Sequence, residues 1–387
     1  MTVTTSAPTA AGAPTDASTD PVALTTRASR RRARTAPGAA AGGRDRYLDV
    51  LRMFAMIRVV TYHTFGWAWL SLVFPSMGVM FALAGSLMAR SLARPALGVI
   101  RGRMRRLLPP LWAFGIVVVL AMMIHGWAPP EHHIGHWWRR MLLWVVPIGD
   151  PPGNAWGAQA TDILWYLRTY LWFVLLSPLL LKAFRLSRGV MLVLSLVPIV
   201  VMSTVWSPPD GQIGSILFDL ATYLTCWLLG FAHRDGLVDR LHPAVVLLLA
   251  AATMAFGGWY GFTHQSDGSY DLNEIPLAQA FWSVGFVLLL LRFRPDMDWV
   301  RRIKPLDRTV TIFNSRAVTI YLWHEIALIV SVPLIDLMWQ VRAFELSLPL
   351  DSMWFQFGVA WVLIAVAVLG VGWIEDVAAK QRPRLLP

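Results

Sequence analysis

From Tyr47 onward, ten stretches of the chain are apolar over enough residues to cross a bilayer, since a spanning helix needs about 20. They run over about 47–70, 72–92, 107–127, 161–183, 189–206, 213–233, 241–262, 275–293, 311–336 and 353–374. An eleventh apolar piece, Trp137 to Ile148, is too short and carries Arg139 and Arg140 at its start. It reads as an interfacial or re-entrant segment. The pattern predicts an all-α polytopic membrane protein, a bundle of about ten transmembrane helices.

The first stretch, YLDVLRMFAMIRVVTYHTFGWAWL, differs from the others in carrying Asp49, Arg52, Arg58 and His63. An ionisable group in hydrocarbon costs on the order of 2.5–3.5 kcal/mol, so each must face protein, water or substrate. On a helix, Arg52 and His63 fall about 20° apart in azimuth and about 16 Å apart along the axis, which places His63 near mid-bilayer. Asp49 lies within about 40° of His63, and Arg58 about 140° away. One face of the helix is therefore a polar seam, suited to a reaction or transport path. A seam that only packs helices together is the competing explanation. Arg58 lies off the seam and needs a partner from another span, with Asp219 or Glu325 able to form a structural ion pair.

The charges orient these spans. Basic residues gather at 90–106, 182–188, 234–240, 292–308 and the C-terminal tail, whereas loops 207–212, 264–274 and 337–352 hold few. Positive loops stay inside, which puts both termini in the cytoplasm. Residues 1–46 are rich in Thr, Ala, Pro, Ser and Gly, then Arg27, Arg30, Arg31, Arg32 and Arg34, and read as a disordered basic cytoplasmic tail. Residues 47–376 form the membrane domain, and 377–387 a short cytoplasmic tail. Of 387 residues 56% are hydrophobic, and the net charge of +11 resides in short loops, which favours anionic lipid headgroups over nucleic acid. The single cysteine, Cys226, excludes an intrachain disulfide framework.

Several runs together resemble the membrane acyltransferase-3 family. Tyr47-Leu-Asp49 leading to Arg52, then ten residues to His63, is similar to its first-helix motif. Val79-Met-Phe-Ala-Leu-Ala-Gly-Ser86 resembles its phenylalanine-rich second span, with Ala84 and Ser86 replacing the usual serine and phenylalanine. Arg103-Met-Arg-Arg106, followed by Leu-Leu-Pro-Pro-Leu-Trp112, is similar to its R-x-x-R and proline-rich helix start. Trp165 through Pro178 and Ile320-Tyr-Leu-Trp-His324 match two further motifs, so that the resemblance covers about residues 45–375. One departure stands out: Tyr170 occupies the place of a glutamate that many members carry. Asp162, Asp219 and Glu325 are the candidates to replace that carboxylate.

The resemblance implies an integral membrane O-acyltransferase. It would move an acyl group, acetyl being the expected one, from acyl-CoA (acetyl-CoA) to a hydroxyl of a carbohydrate, glycolipid or glycosylated metabolite. Acyl-CoA is then a co-substrate, and no bound cofactor is expected. His63 is the candidate base or acyl carrier, since an imidazole can serve as either. Arg52 and Asp49 complete the candidate catalytic set. Arg103 and Arg106 are candidates for the donor phosphates, which arginine's planar fork suits. Tyr170, Tyr321 and His324 are candidates for acceptor binding. Adjacent on a helix, His324 and Glu325 point about 100° apart and are not expected to form a dyad. His132, His133 and His136 are spaced for a metal, but Pro129 and Pro130 and the lack of a matching acid argue against one, and no metal site is expected. The tryptophans near span ends read as an interfacial belt. A transporter or flippase is the alternative from another class, although no repeat symmetry supports it.

Overall fold

The computed structural model describes residues 45–128 and 134–386. The expectations for residues 1–44, for His132 and His133 and for the His136 side chain lie outside what is described. Among the described residues the architecture is all helical, with no strand.

A helix stands at each of the ten apolar stretches. With two further short helices, Lys304–Ser315 and Trp373–Ala378, the chain order is α1 (Arg46–Phe65), α2 (Ser76–Ser91), α3 (Ala96–Ile124), α4 (Leu164–Leu186) and α5 (Arg188–Thr204). Then come α6 (Gln212–Arg234), α7 (Pro243–Thr263), α8 (Pro276–Arg292), α9 (Lys304–Ser315), α10 (Ala317–Trp339), α11 (Met353–Val371) and a last short helix, α12 (Trp373–Ala378). Seven helical segments among the described residues are both long and apolar enough to cross a membrane, which is fewer than ten. The helices α5 and α8 fall short in length, and α1, with its several charges, is not among the seven. The 137–148 piece forms only a short helix, Ile134–Met141, and one 3-10 turn, in agreement with its reading as a segment that does not span.

Three boundaries differ from expectation, each for a local reason. Helix α1 closes at Phe65 because Gly66 adopts φ +61°, a left-handed conformation that glycine enters without strain. His63 therefore sits in the last turn of the helix. Helix α3 begins at Ala96, so Arg101, Arg103, Arg105 and Arg106 ride on its opening turns and are not in a loop. The stretch 311–336 is cut at Arg316, which separates the amphipathic α9 from α10.

Arg316 is fully buried and explains that cut. Its guanidinium donates to both carboxylate oxygens of Asp376 in α12, at 2.8 and 2.7 Å. Beside it, Glu375 accepts from the Thr319 backbone N–H at 2.8 Å and its hydroxyl at 2.6 Å. Arg105 donates to the Ala378 carbonyl, so α12 is tied to the heads of both α10 and α3. The two carboxyls shift in opposite directions. Hydrogen bonds from Arg316 hold Asp376 below the usual carboxylate range, whereas burial pushes Glu375 up to about 7.

Helices α2 and α6 cross closely because Gly85 and Gly230 face each other's backbones. A Cβ at Gly85 would run into the Trp227 carbonyl, and one at Gly230 into the Ala82 carbonyl. Small residues of this kind let helices approach in lipid, where dispersion contacts replace hydrophobic driving force. Phe81, Phe173, Trp227 and Phe231 fill the core around the crossing.

Candidate active site

The seam of α1 faces α9 and α10, and its two ends meet different partners. At the Arg46 end, Arg52 donates to the Asn314 side-chain oxygen at 2.8 Å. The Asn314 amide nitrogen donates to the backbone carbonyls of Asp49 and Val310, each at 2.8 Å, which fixes the orientation of the amide. Arg46 lies 3.5 Å from Asp49 and 2.5 Å from Asp307. Asp49 and Arg52 are thus knitted into α9. They lie about 16–21 Å along the axis from His63, so the structure does not bring them to the histidine.

At the other end, His63 Nδ1 lies 3.0 Å from Glu325 Oε2. Glu325 Oε1 accepts from the Gln159 amide at 2.7 Å. His324 Nδ1–H donates to the Tyr321 carbonyl at 2.5 Å, which leaves Nε2 as the lone-pair nitrogen. That nitrogen lies 3.8 Å from Glu325 Oε2. The rings of His63 and His324 meet edge to face, with centroids 5.0 Å apart. His63 is partly exposed, whereas His324 and Glu325 are buried. Asp162 interacts electrostatically with both His63 and Glu325. Among the three carboxylates that could replace the missing glutamate, Glu325 is the one in direct contact with His63. Asp219 is committed elsewhere: together with Asp150 and Ser215 it holds the buried guanidinium of Arg168.

Arg58 does not form the expected ion pair with Asp219 or Glu325, which meet Arg168 and His63 instead. It donates to the Leu70 carbonyl at 3.3 Å, stands 4.8 Å over the Tyr62 ring and interacts electrostatically with Asp271. Tyr62 in turn donates to Asp271 at 2.7 Å. A cation–π contact, a carbonyl and the field of Asp271 therefore take the place of the expected ion pair with Asp219 or Glu325.

Arg103 and Tyr170 come together, apart from His63. The guanidinium contacts the Tyr170 hydroxyl at 3.3 Å and Ser91 Oγ at 3.2 Å. No carboxylate lies within ion-pair distance of Arg103 among the described residues, so its charge is oriented by neutral groups alone. Arg106, one turn on, is exposed. Tyr321 spends its hydroxyl on the Ile163 carbonyl at 2.5 Å. A file of rings nevertheless joins the two regions. Tyr170 and Tyr166 are 6.5 Å apart, Tyr166 and Tyr321 5.1 Å, and Tyr321 and His324 5.6 Å.

Gln159, Asn314 and the pairing of Glu325 with His63 were not found by sequence reasoning. Gln159 carries no signal in its own neighbourhood, and Asn314 is a single polar residue in an amphipathic helix. Glu325 was visible as a charge in an apolar run.

Comparison with known proteins extends this geometry to nearly the whole membrane region. No curated protein and no solved structure gave a significant match. The family model of acyltransferase-3, described as an acyltransferase domain, matches residues 45–374, from the Arg46 end of α1 to the start of α12. The chain belongs to the acyltransferase-3 family of membrane acyltransferases.

Proposed function

We propose that the protein is an O-acyltransferase that moves an acyl group, acetyl in the simplest case, from acyl-CoA to a hydroxyl of a carbohydrate, glycolipid or glycosylated metabolite. The observation that carries this reading is the contact of a partly exposed imidazole, His63, with a buried carboxylate, Glu325, inside an acyltransferase domain. A carboxylate 3.0 Å from Nδ1 fixes the orientation of the ring and leaves Nε2 to face the acceptor. Gln159 holds the other carboxylate oxygen and keeps it from turning away.

In the proposed reaction His63 Nε2 takes the proton of the acceptor hydroxyl as its oxygen attacks the thioester carbonyl. The new C–O bond forms, the C–S bond breaks, and the proton passes from the imidazolium to the departing thiolate. Glu325 stabilises the imidazolium while it exists, the role a carboxylate plays beside a catalytic histidine. Arg103 and Arg106 meet the donor phosphates, since a guanidinium held only by hydroxyls is free to pair with an anion. The ring file from Tyr170 to His324 would wall the route from those phosphates to His63.

The reading includes ten spans with both termini in the cytoplasm. Helix α1, at 20 residues, is about 30 Å long, and the 17-residue α8 is at the short end of what spans a bilayer. The test is to incubate purified protein with labelled acetyl-CoA and a panel of glycans and lipid extracts. A labelled ester formed by the wild type and lost in His63→Ala and Glu325→Gln is the expected result. Absence of any acylated product from well-folded wild type would sink it.

A further inference from the structure

One buried acceptor atom next to His63 lacks a donor. His324 Nε2 has no hydrogen-bond partner among the described residues, and it faces Glu325 Oε2 at 3.8 Å, the same oxygen that His63 Nδ1 approaches to 3.0 Å. Two lone-pair atoms facing each other in a buried site repel, and each forfeits the hydration it would have in water. A proton donor or a cation between them removes both penalties.

The geometry points to a cation. One ligand atom each from His63, His324 and Glu325 lies within 4.8 Å of the other two. Four ligands placed tetrahedrally at about 2.1 Å from a zinc ion stand about 3.4 Å from one another. The contacts of 3.0 Å for His63 to Glu325 and 3.8 Å for His324 to Glu325 bracket that spacing. The surroundings match as well. A histidine that binds a metal commonly donates its other ring N–H to a carbonyl, as His324 does to Tyr321, and the ligating carboxylate is itself hydrogen-bonded, as Glu325 is by Gln159. Two imidazoles and one carboxylate are a zinc-type ligand set with a position left open.

We propose that His63, His324 and Glu325 form a binding site for a divalent transition metal of zinc type, and that its occupation shuts off acyl transfer by taking His63. The site is independent of the reading of the protein as a transferase; the inhibitory consequence rests on that reading.

The test uses the full chain in detergent, washed with EDTA and titrated with zinc against a chromophoric chelator. The wild type is expected to bind one equivalent that His324→Ala does not bind. Gln159→Leu should weaken that equivalent by roughly 10–100-fold, as loss of an outer partner does. His324→Gln, checked for an unchanged melting temperature, guards against a folding defect. Zinc absorption spectroscopy should find two imidazoles in the first shell. Equal binding by wild type, His324→Ala and His324→Gln would place the zinc on other histidines and overturn the site. Undiminished acyl transfer by zinc-saturated protein would overturn the inhibitory role. One equivalent bound at the cluster by protein that never forms an acyl product supports the metal site while removing the transferase reading.

Discussion

The two ends of α1 handle their polar groups in opposite ways. At the Arg46 end, Arg52 donates to Asn314, whose amide donates to the Asp49 backbone carbonyl, and Arg46 stands between the Asp49 and Asp307 carboxylates. At the Phe65 end, Gln159 and His63 meet the two oxygens of Glu325 and the Tyr321 carbonyl anchors His324, yet His324 Nε2 is left without a partner among the described residues. Guanidinium–carboxylate pairs neutralise their own charge, whereas a buried lone-pair nitrogen without a donor marks where another group belongs. On the proposed reading the first end fastens α1 to α9 and the second reacts.

The largest effect expected from this contrast is at His63. His63→Ala should insert and fold normally but lose on the order of 10²–10⁴ in turnover, the range for a positioned proton-transfer group. A stable variant that acylates at the wild-type rate would erase the difference between the ends.

The opposite end should respond less and in another parameter. Asn314→Leu removes a hydrogen bond to the charged Arg52, worth about 1.5–3 kcal/mol, and should lower turnover by at most roughly tenfold to a hundredfold if the orientation of Arg52 matters to the reaction. Asn314→Asp keeps the acceptor for Arg52 and should recover part of that loss. If Asn314→Leu behaves like wild type in steady-state kinetics, the network at this end only fastens α1 to α9.

Arg103→Ala combined with Arg106→Ala should raise KM for the acyl donor about tenfold with little change in kcat, because phosphate contacts are made in ground and transition states alike. Arg103→Lys keeps the charge and loses the fork, and its KM should fall between the two. Unchanged donor kinetics in the double variant would reduce these arginines to setting topology.

The smallest effect concerns the α12 latch. Burial raises Glu375 from 4.5 to about 7, so the folded protein holds a proton that the unfolded chain has released. That contribution is complete below pH 4.5 and is lost as pH rises through about 7. The wild-type melting temperature should fall between pH 5 and pH 8 by more than that of Glu375→Gln, which cannot titrate. Parallel pH–melting curves would show that this carboxyl is not stabilised in its protonated form.

Much of this was open to a reader of the chain. Helices stand at all ten apolar stretches because burial in lipid demands long runs with internally satisfied backbones, and such runs are visible in one dimension. The seam of α1 was legible too, because helical periodicity is local. It does face one pair of helices, with Arg52 meeting α9 and His63 meeting α10. The motifs around Arg52, His63 and Arg103 were sufficient for the family, which the match over residues 45–374 establishes.

Pairing was not legible. Glu325, Asp162 and Asp219 were equivalent candidates on paper, and packing alone put Glu325 against His63 and Asp219 against Arg168. Arg58 found a ring and a carbonyl because Asp219 and Glu325 had been taken. The first helix ends at Phe65 rather than near Leu70 through one residue, Gly66, whose φ no hydropathy pattern records, and this puts His63 in its last turn. Periodicity tells which face a side chain leaves from, because that depends on neighbours three and four residues away. Which partner it meets depends on how helices far apart in the chain are packed, and the energies that decide this, from hydrogen bonds and buried charges, vanish within a few ångströms of contact.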